Sequence, residues 1–298
     1  MKIGSETSAT LIGLSAVALW ATVATGFKLG LEHMEPVQLL WVGCVVSTAV
    51  FAMARLFRRP RAIESGRSRK RDHLFAAGLG LVNPAAYYLI LFEAYDRLPA
   101  QVAQPLNYTW AITLALLAIP VLRQPLTRTA LAGIVVSYGG VVVLLTRGST
   151  NFGTFDPLGI GLALVSTVLW ASYWLASVRS SMDPVTMMLT GFLTATPVIG
   201  ALCYFTSGLP ALETPTVVYG AWVGLIEMGI TFLLWQRALA LTRHAARIGQ
   251  LIFLSPFVSL FLIDRVLGES VHPSAIMALA LIVVGVVLVN RATPAQRH

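Results

Sequence analysis

Charge is what this chain has least of. Asp, Glu, Lys and Arg make up 11% of its 298 residues, where a soluble domain carries about 25%. A surface that poor in charge cannot face water, so a soluble globular fold is excluded. The net charge of +8 does not restore a nucleic-acid partner, because the basic residues sit in short loops between apolar runs. That is the pattern that orients membrane proteins. Only two cysteines occur, Cys44 and Cys203, both inside apolar runs. They read as small buried hydrophobes and suggest neither a disulfide framework nor a metal site. The chain has no Gly-Lys-Ser/Thr phosphate loop, no His-Glu-x-x-His and no Gly-x-Ser-x-Gly, and its five histidines are scattered at the ends of the apolar runs. ATP-driven pumping by this chain therefore has no motif to rest on, a membrane-embedded enzyme or sensor is the weaker class, and no cofactor is expected.

What the chain has instead is apolar length: 56% hydrophobic residues and a mean hydropathy of +0.76. Crossing a bilayer takes about 20 apolar residues. Ten such spans can be read, at 8–29, 36–57, 74–95, 100–120, 127–146, 157–178, 184–206, 215–239, 247–264 and 273–290. Proline marks several first turns: Pro36 after Glu35, Pro157 after Asp156, Pro184 after Asp183, Pro215 after Thr214 and Pro273 after His272. Proline is well placed there, and the side chain before it can cap free N–H groups. Lys2 ahead of the first apolar run resembles a signal peptide, but no small-residue cleavage site stands out, and a retained first helix is expected. With the N-terminus inside, 17 of the 21 basic residues fall on the inner side and four, Lys28, Arg97, Arg147 and Arg265, on the outer side. This bias supports ten spans with both termini cytoplasmic. The basic loop Arg58–His73 reads as a solvated orienting loop, with contact to anionic lipid as the sharper alternative.

The stretch Gln101–Trp110 does not look like a lipid-facing helix. Gln101, Gln104, Asn107, Tyr108 and Thr109 surround Pro105 at the head of an apolar run that continues to Ile119. Polar side chains at such depth need partners or a water-filled cavity. Span 4 is therefore expected to face the inside of a bundle.

The two halves of the chain echo each other. Leu19-Trp20-Ala21 in span 1 matches Leu169-Trp170-Ala171 in span 6, and Glu35-Pro36-Val37 matches Asp183-Pro184-Val185. Residues 133–144 of span 5 match 278–289 of span 10. A repeat of five spans is odd, so its second copy must insert upside down, as in many secondary transporters. The expected organisation is a first five-helix repeat over 1–147, a linker over 148–156, a second repeat over 157–291 and a cytoplasmic tail over 292–298.

These features, with the Gly268-Glu269 turn before the last span, resemble the EamA branch of the drug/metabolite transporter (DMT) superfamily. The stretch Ala9–Trp20 together with Asn107-Tyr108-Thr109-Trp110 is similar to the YddG-type bacterial amino-acid exporters within it. Gln124 stands where family members often carry an acid in the first half, at the place corresponding to Glu269. The resemblance implies an all-α polytopic membrane protein with ten transmembrane helices as two inverted five-helix repeats. It also implies export of amino acids, aromatic ones included, or of related small metabolites from the cytoplasm. Exporters of drugs, nucleosides or nucleotide-sugars belong to the same superfamily and form the alternative. The expected setting is the bacterial inner membrane, with a monomer acting on a small-molecule substrate in the lipid bilayer.

Depth sorts the aromatic residues. Trp41, Trp174 and Trp235 fall near span ends and read as interfacial belt residues. Trp20, Trp110 and Trp170 fall about 10–13 residues into their spans, roughly 15–20 Å deep. Packing alone accounts for such residues, but an aromatic cavity for an amphipathic solute accounts for them too. Asn83 and Tyr87, four apart in span 3, would share a helical face. The expected substrate-binding set is Trp20, Asn83, Tyr87, Asn107, Tyr108, Trp110, Trp170, Gln250 and Phe253. Glu227 is the one acidic residue near mid-membrane, and it reads as a proton site, an ammonium partner or a structural carboxyl. Glu93, Lys28, Asp264 and Arg265 lie near the outer ends, where snorkelling explains them. Gly26 with Gly30, Ala76 with Gly80 and Gly220 with Gly224 permit close helix crossings.

Overall fold

The computed structural model describes residues 3–57, 66–122, 127–146, 155–177, 180, 182–242 and 245–292. Most of the basic loop, Gln124, the linker up to residue 154 and the tail from 293 lie outside these residues. All regular elements among the described residues are helical. Eight helices are long and apolar enough to cross a membrane: Glu6–Leu31, Pro36–Leu56, Lys70–Arg97, Arg128–Thr146, Pro157–Ser177, Pro184–Thr206, Thr214–Leu241 and Ile248–Leu267. They correspond to spans 1, 2, 3, 5, 6, 7, 8 and 9. Span 4 is built from Ala100–Tyr108 and Trp110–Leu122, and span 10 is Pro273–Ala292.

The helix starts follow the local chemistry. Gln38 reaches back to accept from the Glu35 N–H at 3.0 Å, Asp183 accepts from the Thr186 N–H at 3.0 Å, and Asp156 accepts from the Leu158 N–H at 2.9 Å. Each contact supplies a partner at a helix start, where the first N–H groups have no acceptor within the helix.

Packing respects an exchange of the two halves. Span 1 lies against span 8, and span 6 lies against span 3. Span 4 packs on span 6, and span 9 packs on span 1. Span 3 packs on span 7, and span 8 on span 2. Spans 2 and 7 meet each other, as do spans 5 and 10. Small residues set several of these crossings. A Cβ at Gly80 would collide with the Gly191 backbone, and one at Gly224 would come within 2.7 Å of the Gly43 carbonyl. The tightest seam joins spans 5 and 10. There a Cβ at Gly133 would stand 2.5 Å from the Gly285 carbonyl, one at Gly140 2.7 Å from the Ala278 carbonyl, and Ser137 Oγ donates to the Ile282 carbonyl at 3.0 Å. Close backbone approach of this kind is how helices associate in lipid, where no hydrophobic force drives them together.

Two spans depart from regular helix at matching places in the two halves. Span 3 is broken by a kink within Leu81–Ala86, and span 8 is wound wide over Val223–Ile230. Such departures leave backbone carbonyls short of partners, and π-type segments occur often at functional sites. In span 3 the Asn83–Pro84 peptide is cis, and Asn83 itself is extended at φ −142° and ψ 117°. In span 8 the freed carbonyls are met from outside: Ser47 Oγ donates to the Gly224 carbonyl at 2.9 Å, and Trp20 Nε1 to the Glu227 carbonyl at 3.4 Å.

Candidate substrate site

Just beyond these two segments, Tyr87 of span 3 and Phe232 of span 8 join rings from spans 1, 4 and 6 in a continuous aromatic cluster. Trp170 of span 6 is its hub. Its ring lies 4.7 Å from Tyr87, 6.4 Å from Trp110, 6.2 Å from Tyr173 and 6.3 Å from Phe232. Phe232 in turn stands edge-on to Trp20 at 5.5 Å. Offset and edge-to-face geometries like these contribute about 0.5–1.5 kcal/mol per pair beyond area burial. The five rings Trp20, Phe232, Trp170, Tyr87 and Trp110 thus bridge both halves of the chain.

Polar groups are set into this wall. Asn107 Nδ2 donates to Ser166 Oγ at 3.1 Å and reaches the Tyr87 hydroxyl at 3.4 Å. Tyr88, buried beside Tyr87, donates its hydroxyl to Glu227 Oε1 at 2.8 Å. Tyr87 and Tyr108 also lie within electrostatic range of the Glu227 carboxyl. No Lys, Arg or His forms an ion pair with Glu227 among the described residues. The surroundings offer phenols, an amide, indoles and one acid: a lining suited to an apolar body with polar ends.

Of the residues expected from sequence, Trp20, Tyr87, Asn107, Trp110, Trp170 and Glu227 are joined by these contacts. Tyr108 lies within electrostatic range of Tyr87 and Glu227, with no ring contact to the cluster among the described residues. Asn83 and Tyr87 do not share a helical face, because the extended backbone at Asn83 resets the helical phase. Asn83 instead lines a small cleft with Gly80, Tyr173, Met188, Gly191 and Phe192, which adjoins the cluster through Tyr173. Phe253 is half-buried against the main core, while Gln250 is exposed.

Two other expectations are corrected. Trp235 is only 8% exposed and packs at 5.4 Å on Trp20, and Trp174 packs at 6.0 Å on Trp170. Neither is a belt residue. Distance along the sequence from a span end says nothing about which neighbour a helix meets there. Lys28 directs its Nζ to the outer end of span 3, where it donates to the Tyr95 carbonyl at 2.8 Å and the Leu98 carbonyl at 3.2 Å.

The cluster also contains residues that the sequence reading did not select. Ser166 lies four residues before Trp170, on the same helical face, and that spacing was a usable signal. Phe232 carried none, since one Phe among 13 in an apolar chain is unremarkable until its neighbours are known.

The sequence profile of the EamA-like transporter family matches this chain twice, over residues 7–146 and 157–291. The chain belongs to that family. Its relatives include the aromatic amino acid exporter YddG of Ancylobacter novellus, 28% identical over 287 residues that cover 93% of this chain and 94% of the relative. A probable terminal-alkyne amino-acid exporter of Streptantibioticus cattleyicolor is 27% identical, covering 95% of this chain and 93% of that protein. A solved crystal structure superposes with a TM-score of 0.65 at 25% identity, covering 95% of this chain and 98% of its own. This EamA-family chain is thus a multi-pass membrane protein of transporter type.

Proposed function

We propose that this EamA-family protein exports amino acids, aromatic ones among them, or closely related metabolites across the bacterial inner membrane. The observation that carries the reading is the aromatic cluster around Trp170, which has Asn107, Tyr87, Tyr88 and Glu227 set into it and draws on both halves of the chain. An aromatic side chain would stack among the rings, and its polar backbone would meet the amide, phenols and acid. Two named relatives, both amino-acid exporters by name, support the same substrate class.

The substrate set in this reading is Trp20, Tyr87, Asn107, Tyr108, Trp110 and Trp170, with Asn83, Gln250 and Phe253 on the approaches. The halves, residues 1–147 and 157–291, act as two inverted five-helix units that rock about this centre to give alternating access. The pairwise exchange of helix contacts between halves supports that arrangement. The 17-to-4 distribution of basic residues supports cytoplasmic termini. A monomer contains both halves of the site.

The test is flux in proteoliposomes containing only this protein, loaded in turn with aromatic amino acids, aliphatic amino acids, nucleosides and sugars. Efflux of aromatic amino acids above protein-free vesicles is expected. Efflux of nucleosides or sugars alone would replace this substrate class with another.

A further inference from the structure

Glu227 stands near the middle of the 28-residue Thr214–Leu241 helix, at the depth where a charge is most costly. A carboxylate has room for about four hydrogen bonds. This one receives a single side-chain donor among the described residues, the Tyr88 hydroxyl at 2.8 Å. No cation pairs with it among the described residues: Tyr87 and Tyr88 of span 3 and Tyr108 of span 4 are its electrostatic neighbours, and Trp20 of span 1 bonds its backbone carbonyl. Span 2, packed on the same segment, brings the buried thiol of Cys44 and Ser47, whose hydroxyl is bonded to the Gly43 and Gly224 carbonyls. Lys28, also on span 1, is engaged by carbonyls at the far end of span 3. Glu227 is half-buried rather than sealed, so it borders accessible space. A carboxyl so placed has two ways to avoid an unpaired charge: it keeps a proton, or a cation from outside the protein comes to it.

We infer that Glu227, positioned by Tyr88, is the subsite for the ammonium group of the substrate, and that this ammonium and a proton occupy it in alternation. The inference rests on the amino-acid exporter reading above. The geometry suits a zwitterion. Beside it, Tyr87 packs on Tyr88 with ring centres 4.7 Å apart, and its hydroxyl and Asn107 Nδ2, here bonded to each other and to Ser166, would turn to the substrate carboxylate on the same carbon as the ammonium.

The exchange balances without any further reactant. The protonated carboxyl meets the ammonium on the inner side, the carboxylate–ammonium pair forms, and one proton leaves to the cytoplasm. When the substrate departs on the outer side, the carboxylate takes one proton from there and the empty carrier returns neutral at this site. Each zwitterion exported is thereby exchanged for one proton imported. Asn107, Tyr87 and the rings keep their states throughout; they hold the rest of the substrate.

The experiment is calorimetric titration of the purified full-length protein with phenylalanine and with 3-phenylpropionate, which lacks the ammonium. It is run at about pH 6 and about pH 8 in buffers of different ionisation heat. The wild-type protein should prefer phenylalanine by about tenfold or more, bind it more tightly at the higher pH, and release one proton per molecule bound. E227Q should lose the preference, the pH dependence and the proton release together. Y88F should keep the proton release but bind phenylalanine several-fold more weakly. Wild-type binding with no proton release overturns the inference without recourse to a variant. So does E227Q with unchanged selectivity and release. Wild-type protein that neither binds nor transports any amino acid overturns the exporter reading and this inference with it. Wild-type flux that survives unchanged in E227Q overturns this inference alone.

Discussion

Glu269 gives the sharpest test of how the bundle opens. It lies in the turn between spans 9 and 10, yet its carboxylate accepts from the N–H groups of Ala100 at 3.0 Å and Gln101 at 3.3 Å, the first residues of span 4. Gln101 returns the contact, donating to the Ser270 carbonyl at 3.1 Å and accepting from the His272 N–H at 3.0 Å. One side chain thus caps a helix in the other half of the protein. Capping of this kind is worth about 0.5–2 kcal/mol, and an anion at a helix start adds about 0.3–1 kcal/mol. Glu269→Ala should therefore weaken this closure by about 1–3 kcal/mol, a shift of roughly 5- to 150-fold between closed and open arrangements at this end. Glu269→Gln keeps an acceptor and should fall between. Spin labels on cysteines introduced at the exposed positions Asp96 and Arg265 would report the separation of the two sides by pulsed electron resonance. The expected result is one short distance in the parent and a growing longer population through Gln to Ala. The same single distance in all three proteins would refute the idea that Glu269 holds this end shut.

Other outcomes follow from the same coordinates. Gly133→Ala places a methyl against the Gly285 carbonyl and should lower stability by about 1–3 kcal/mol in a thermal melt, whereas Gly139→Ala, with open space around it, should be neutral or slightly stabilising. Trp110→Ala should cut amino-acid flux about tenfold with little loss of folded protein, while Trp110→Phe, which keeps a ring against Trp170, should retain most of it; equal flux in both would remove Trp110 from the site. Asp156 is held below the usual carboxylate range, chiefly by the Leu158 N–H and further by Arg97. Its contribution to stability is therefore full at neutral pH and is lost as the pH falls through that lowered value, so Asp156→Asn should flatten the acid limb of the melting curve.

The helical class, the membrane setting and the span positions were legible in the chain itself. Hydropathy over a bilayer's length, proline in first turns and the placement of basic residues are local properties, and the bilayer leaves helices few ways to differ. The position of Trp20, Trp110, Trp170 and Glu227 along their helices was legible for the same reason, since residue count along a helix converts directly to distance. The identity of their partners was not. That Tyr88, rather than Tyr87, bonds Glu227 depends on how spans 3 and 8 are rotated against each other, and span 3 is kinked just before Tyr88 while span 8 is wound wide around Glu227. Pro84 hinted at this in span 3; nothing in residues 223–230 announced it in span 8. Trp235 and Trp174 turned inward, and Lys28 capped a neighbouring helix, because lateral packing of helices decides where a side chain points. Which residues lie within the membrane is settled residue by residue along one helix. Which of them touch is settled only when helices distant in sequence pack together.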